Sequence, residues 1–229
     1  FSTKDGIELI EIYAAILILI GINMEEKVFR DYDAPDISAA VEEHYKKMRK
    51  NQTYNYVQRM HKKYLKFDKP MDLWDAMRHL NNLIDVSDPD LDLPNVQHLI
   101  QSAEAIRAEG RPDWMQLTGL IHDLGKVMYL WGSDEDGTSQ AEQWGMVGDV
   151  FIVGCALPDC CVYPEYNTTN PDMQDQRYST STGIYEKGCG IDNVDLAWGH
   201  DEYLYQVLNN HPSNTLPEEA MVMIRYHSF

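Results

Sequence analysis

From about Asp36 onward, apolar and aromatic residues recur every three or four positions: Val41, Tyr45 and Met48, then Tyr54, Val57, Met60 and Tyr64. That period places them on one face of a helix over 37–67, with the intervening lysines and arginines on a solvated face. A second helix is expected over 71–84, ahead of the acidic, turn-rich run Asp85-Val-Ser-Asp-Pro-Asp-Leu-Asp-Leu-Pro94. Further helices are expected over about 95–109 and 113–131. From Gly132 to Asn193 the chain is dense in Gly, Pro, Asn and Asp and holds no period; such a stretch inside a compact domain is usually functional or disordered. Here it reads as a lid over a site, with the polar run 135–143 as an insertion within it. Helical pattern returns at about 197–209 and 217–228. There is no internal repeat, and the fold class is all-α.

The segment before Asp36 reads differently. The eleven residues Ile12 to Ile22 are apolar, too few to cross a bilayer, which takes about 20. A secretory core has that length, but Lys4 is flanked by Asp5, Glu8 and Glu11, and no small-x-small cleavage site follows. A buried helix or mistranslated upstream sequence fits better, and Met24 would make a natural start. The chain opens on Phe1 and stops at His227-Ser228-Phe229 without a helix stop signal, so it reads as a fragment or a gene model with wrong ends.

The predicted helix at 113–131 carries the chemistry. Asp113 and Gln116 fit a capping box after Pro112. Trp114, Leu117, Ile121, Leu124 and Met128 line up as the core face, and at 100° per residue His122, Asp123 and Lys126 project away from it. Gly119 and Gly125 flank this second face, each costing about 1 kcal/mol against alanine in a helix interior. Bare positions there let another part of the chain approach the backbone closely.

Composition narrows the class. With 19 Lys+Arg against 37 Asp+Glu, the formal net charge is −18. A field that negative repels phosphate backbones and anionic lipid, so neither nucleic acid nor membrane is expected as partner. It tolerates a neutral or cationic ligand, or a metal. The length of 229 residues suits one core rather than two. Cys155, Cys160, Cys161 and Cys189 are too few and too oddly spaced for a disulfide framework, which places the protein in a reducing cytoplasm.

Three further histidines sit on predicted helices beside small or apolar neighbours: His98 with Ser102 and Ala105, His200 with Tyr203 and Val207, His227 with Ala220 and Met223. His44, His61, His79 and His211 lie among polar residues and read as surface. Four histidines and an aspartate without paired cysteines form a nitrogen and oxygen set, which suits iron, manganese or zinc. Such ligands can project into the centre of a helical bundle, as in dimetal carboxylate proteins.

Six segments in order carry a resemblance: Asp85-Val-Ser-Asp-Pro-Asp90, the run Asp113 to Lys126, Val147-Gly-Asp-Val-Phe151, Asp175-Gln-Arg-Tyr-Ser-Thr180, Trp198-Gly-His-Asp-Glu-Tyr203 and Met223-Ile-Arg-Tyr-His-Ser-Phe229. Together they resemble myo-inositol oxygenase, the di-iron family of the HD-domain superfamily, from about residue 28 to the end; residues 1–27 lie outside the match. The resemblance implies an HD-domain helical bundle with a long irregular insertion, and oxidative ring opening of myo-inositol to D-glucuronate. It implies two iron ions in a mixed-valent Fe(II)/Fe(III) pair and O₂ as co-substrate. His98 and His122 would hold one iron, His200 and His227 the other, with Asp123 between. Lys126 falls at the lysine that contacts substrate oxygens. Arg30, Asp85, Ser87, Asp149 and Ser228 match other positions around the substrate. A monomer is expected.

In that family a further iron ligand, an Asp, follows the late His-Ser-Phe motif. The sequence stops at Phe229, so one iron is expected to be poorly held and activity impaired. Asp201 is the conceivable replacement, on a different helix face from its neighbour His200. The alternative from another class is an HD-type metal-dependent phosphohydrolase, which needs cations around its phosphate that this acidic chain spreads thinly. A non-catalytic protein whose helices merely pack is the third reading.

Overall fold

The computed structural model describes residues 39–87 and 93–229. The apolar run at 12–22, the 1–27 extension and Arg30 lie outside these residues. Among the described residues the protein is all-α, with no strand and one isolated antiparallel bridge between Ile152 and Leu196. None of its helices is long and apolar enough to cross a membrane.

The helix expected over 37–67 is two helices, α1 (Ala39–Asn51) and α2 (Tyr54–Tyr64). The break has two causes. Thr53 caps α2, its hydroxyl accepting from the Tyr56 N–H at 3.1 Å. Gln52 is fully buried; it accepts from Trp198 N at 2.9 Å and donates to Trp198 O at 2.7 Å. Asp72 caps α3 (Leu73–Leu80) by accepting from Trp74 N. Next come α4 (Asn95–Ala108) and α5 (Asp113–Ile121). The capping box does not form: Pro112 occupies the cap position, and Gln116 donates instead to Arg111 O at 2.7 Å.

Helix α5 also stops ten residues sooner than its apolar stripe predicts, at Ile121 rather than 131. A tighter 3₁₀ segment then runs from Leu124 to Trp131. Irregular chain follows, punctuated by 3₁₀ turns at Pro164–Thr169, Pro171–Gln174 and Ile191–Asn193. Helices α6 (His200–Asn209) and α7 (Glu218–Tyr226) close the fold. α4 packs on α5, and α6 on α7 and on the 3₁₀ segment. The core between them holds Val57, Leu80, Leu99, Met128 and Trp198, with Tyr64 stacked on Trp198.

The polar run 135–143 is not a solvated loop. Thr138 and Gln143 are buried; the Tyr64 and Thr138 hydroxyls share a hydrogen bond, and Gln143 donates to Ile84 O. All four cysteines are free thiols, as expected, with Cys155 buried.

Candidate metal centre

Helix ends, more than helix faces, position the ligands. His98 lies within α4, but His122 caps the C-terminus of α5, His200 opens α6 and His227 caps the C-terminus of α7. The last carbonyls of a helix have no partner inside it. Two of them serve here: His122 Nδ1 lies 2.8 Å from Gly119 O, and His227 Nδ1 lies 2.9 Å from Ile224 O. His200 Nδ1 is 2.7 Å from Met146 O, on the loop before α6. With Nδ1–H donated to a carbonyl, each of these rings turns an Nε2 lone pair inward. The face-sharing expected for His227 fails on one side, because Ala220 is buried but Met223 is exposed.

Those lone pairs meet. His98 Nε2 and His122 Nε2 are 3.1 Å apart, and His200 Nε2 and His227 Nε2 are 3.0 Å apart. Asp123 stands between the two pairs. Its Oδ1 is 2.9 Å from His200 Nε2, 3.6 Å from His227 Nε2 and 3.7 Å from His122 Nε2. Its Oδ2 is 3.7 Å from His98 Nε2 and accepts from Lys126 Nζ at 2.7 Å and Asn95 Nδ2 at 2.9 Å. The residue's backbone, at φ −94° and ψ 0°, has left helical geometry, and this aims the carboxylate inward. His98, His122 and Asp123 form one set able to hold a cation; Asp123, His200 and His227 form another.

Electrostatics agree with that division. Burial drives His122 down to about 4, so it is neutral and ready to ligate. Burial also opposes protonation of His227, but its hydrogen bond to Asp123 and the Asp201 and Asp123 charges outweigh it and push His227 to about 9. Burial alone would raise Asp123, yet the Lys126 charge leads the terms that hold it well below the carboxylate range. The donor set thus fits two cations sharing one carboxylate, with no thiolate and no second acid between the pairs.

Lys126 is buried and clamps Asp123 to Asp85, donating to each at 2.7 Å. Ser87 turns back on Asp85, its hydroxyl donating at 2.6 Å and its N–H at 2.8 Å. Asp85, Ser87, Lys126, Asp149 and Ser228 all line one cavity of about 890 Å³ with the five ligand residues. Asp201 does not join either ligand set. It lies on the Nδ1 side of His200, at 3.6 Å, with both carboxylate oxygens buried and without hydrogen-bond partners.

Against this geometry the comparisons are specific. A family model described as myo-inositol oxygenase matches residues 38–229. The chain belongs to the myo-inositol oxygenase family. It is 46% identical over 204 residues to "Probable inositol oxygenase" of Oryza sativa subsp. japonica, covering 88% of this chain and 64% of that protein. Against "Inositol oxygenase 4" of Arabidopsis thaliana the identity is 46% over 211 residues, covering 91% and 65%. Against "Inositol oxygenase" of Mus musculus it is 45% over 204 residues, covering 88% and 68%. The chain therefore spans slightly under two thirds of the plant relatives.

Three residues around the centre escaped the sequence reading. Arg49 was assigned to a solvated face and is fully buried; its place four residues after Tyr45, on the core stripe, was the available signal. Asn95, the first residue of α4, donates to Asp123, and nothing in its neighbourhood marks it. His44, read as surface, is buried against Val147 O at 3.1 Å.

Proposed function

We propose that the protein is a di-iron oxygenase that opens the ring of myo-inositol with O₂ to give D-glucuronate. The observation that carries this reading is the placement of the Asp123 carboxylate among four imidazoles, whose Nε2 atoms all lie within 3.7 Å of one of its oxygens. His98 and His122 are assigned to one iron and His200 and His227 to the other, with Asp123 shared. Breaking an alcohol C–H bond and a ring C–C bond needs an oxidant, and a mixed-valent iron pair with O₂ supplies it.

The rest is done by the chain. Lys126 is the one lysine or arginine on the cavity lining among the described residues, and is assigned to a substrate oxygen. Asp85, Ser87, Asp149 and Ser228 are assigned to the other hydroxyls, and Arg30 is assigned there by family resemblance alone. A neutral polyol meets no electrostatic opposition in so acidic a protein. The alternative phosphohydrolase is poorly served, because Lys126 is already paired with two carboxylates. Residues 28–229 are taken as one domain acting as a cytoplasmic monomer, in keeping with four free thiols.

The test is to load the protein with ferrous iron, count iron per chain, and follow O₂ uptake with glucuronate formation from myo-inositol. Two irons and O₂-dependent glucuronate support the reading. Anaerobic phosphate release from nucleotides, without glucuronate, would replace it with the hydrolase.

A further inference from the structure

Arg49, near the end of α1, is buried completely. Its guanidinium lies 4.6 Å over the Phe151 ring. Among the described residues its nitrogen and oxygen contacts run through Nη2, to Asp149 Oδ1 at 2.9 Å, Asp149 Oδ2 at 2.6 Å and Val162 O at 2.7 Å, and the Cys161 thiol lies near enough to feel the guanidinium. Nε and Nη1 are buried and have no hydrogen-bond partner among the described residues. Asp149, Phe151 and Val162 line the cavity, and Val162 N donates back to Asp149 Oδ2 at 3.1 Å.

As a device for stability this arrangement is poor. Removing a guanidinium from water costs several kcal/mol, and an ion pair repays that only when the remaining donors are also satisfied. Here two of three nitrogens go without. An apolar pair of similar volume would serve the fold as well or better. What an apolar pair cannot do is hold a carboxylate at one place on a cavity wall. Asp149 sits on irregular chain, where no helix or strand fixes its rotamer, and Arg49 approaches it from the rigid end of α1.

We infer that Arg49 is the positioning residue that aims the Asp149 carboxylate at a hydroxyl of the polyol, without touching the substrate itself. This rests on the reading under Proposed function. The effect belongs in substrate affinity, because an interaction equal in ground and transition states moves KM and leaves kcat.

The experiment uses the iron-loaded protein and its Arg49→Lys, Asp149→Asn and Arg49→Met/Asp149→Asn variants. Read out are myo-inositol binding by calorimetry, kcat and KM, and iron per chain. Arg49→Lys is expected to raise KM and Kd about tenfold, with kcat within about twofold and iron unchanged. Lysine keeps the charge, but its ammonium cannot lie flat on the Phe151 ring as the guanidinium does, so its donor is not held where Nη2 stands. Since Arg49 acts through Asp149, the double variant should bind inositol as Asp149→Asn does; it leaves no unpaired buried charge, so it remains readable even if Arg49→Lys fails to fold. A double variant clearly weaker than Asp149→Asn, or an Arg49→Lys protein that melts lower but binds inositol normally, overturns the assignment. If the parent protein binds no inositol, the proposed function falls first and this inference with it.

Discussion

The cavity has two walls of different construction. On one, the five candidate metal-binding residues come from α4, α6, the ends of α5 and α7 and the turn after α5, and three of the imidazoles are oriented by backbone carbonyls. On the other, the chain from Gly148 to Val162 has no regular structure. It is held by single hydrogen bonds: Arg49 to Val162 O, Asn167 to Pro158 O, Tyr185 to Val153 O and Val150 N to Ser228 O, while Asn170 fixes the end of α1 that carries Arg49 through Arg49 O and Gln52 O. The helical wall draws its order from apolar packing, which places helix ends at fixed points. The irregular wall draws its order from individual hydrogen bonds. The two should therefore fail separately, the first with the metal and the second with the substrate.

The largest effect is expected where the helical wall is tightest. A Cβ at Gly125 would stand 2.0 Å from His200 O and 2.8 Å from His200 C. This is backbone, which cannot rotate aside, so Gly125→Ala must push the start of α6 off the 3₁₀ segment. It should cost at least about 3 kcal/mol and release the cation that His200 and His227 share. Metal analysis and thermal melting check this; two tightly held metals per chain in the variant would show that α6 is not set by this contact.

Asn170→Ala probes the other wall. Asn170 is buried, donates to Arg49 O at 2.7 Å and Gln52 O at 3.1 Å, and accepts from Asp172 N at 2.9 Å. Stranding two buried carbonyls should cost about 2 to 3 kcal/mol. Inositol binding should weaken while metal content stays at the parent value. A variant that loses metal instead would mean that the walls are coupled, and the comparison above would fail.

The same contrast explains how much of the molecule its sequence disclosed. The all-α class, the positions of α4, α6 and α7, and the five candidate metal-binding residues that the structure brings together were legible, because helices declare themselves through an apolar period and histidine is rare enough to notice. What misled was continuity. The stripe Trp114, Leu117, Ile121, Leu124, Met128 runs on past the point where α5 stops, since a 3₁₀ turn buries nearly the same side chains. The break at Gln52 was hidden for the same reason. Of the irregular wall the sequence disclosed the lack of a period and, through the motif at 147–151, Asp149; its construction was not legible, because it depends on pairings such as Arg49 with Asp149, a hundred residues apart, which leave no local period.

Acid tests the clamp that joins Asp85 to the ligand turn. Burial acts to raise Asp85, but the Lys126 charge and hydrogen bond, with the Ser87 hydrogen bond, bring it down to about 2 from the ordinary 3.8. A carboxyl depressed in the folded state stabilises fully above its unfolded pKa. That contribution, about 2 kcal/mol, is lost as pH falls from near 4 toward 2. In metal-free protein, Asp85→Asn should therefore lower the melting temperature at pH 6 and flatten the decline below pH 4. A variant and parent with parallel acid limbs would mean that Lys126 is held by Asp123 alone.

The smallest expected effect comes from Gly119, inside α5 and one turn before His122. A Cβ at Gly119 would meet the Ile106 Cδ1 at 2.5 Å, with the Ala103 backbone no nearer than 3.4 Å. Unlike the His200 carbonyl, Cδ1 is the tip of a side chain that is only half-buried and has room to turn outward. Alanine also gains about 1 kcal/mol of helix propensity over glycine in α5. The two terms oppose, and Gly119→Ala should fall within about 0.5 kcal/mol of the parent in chemical denaturation. The Gly119 carbonyl that orients His122 is untouched by the change, so the His98 and His122 cation should bind as before. A loss as large as that of Gly125→Ala would shift the origin of the site's geometry from the seating of α6 to the packing of α4 on α5. The pair of alanine variants thus separates a glycine required by close backbone approach from one that merely sits beside a movable neighbour.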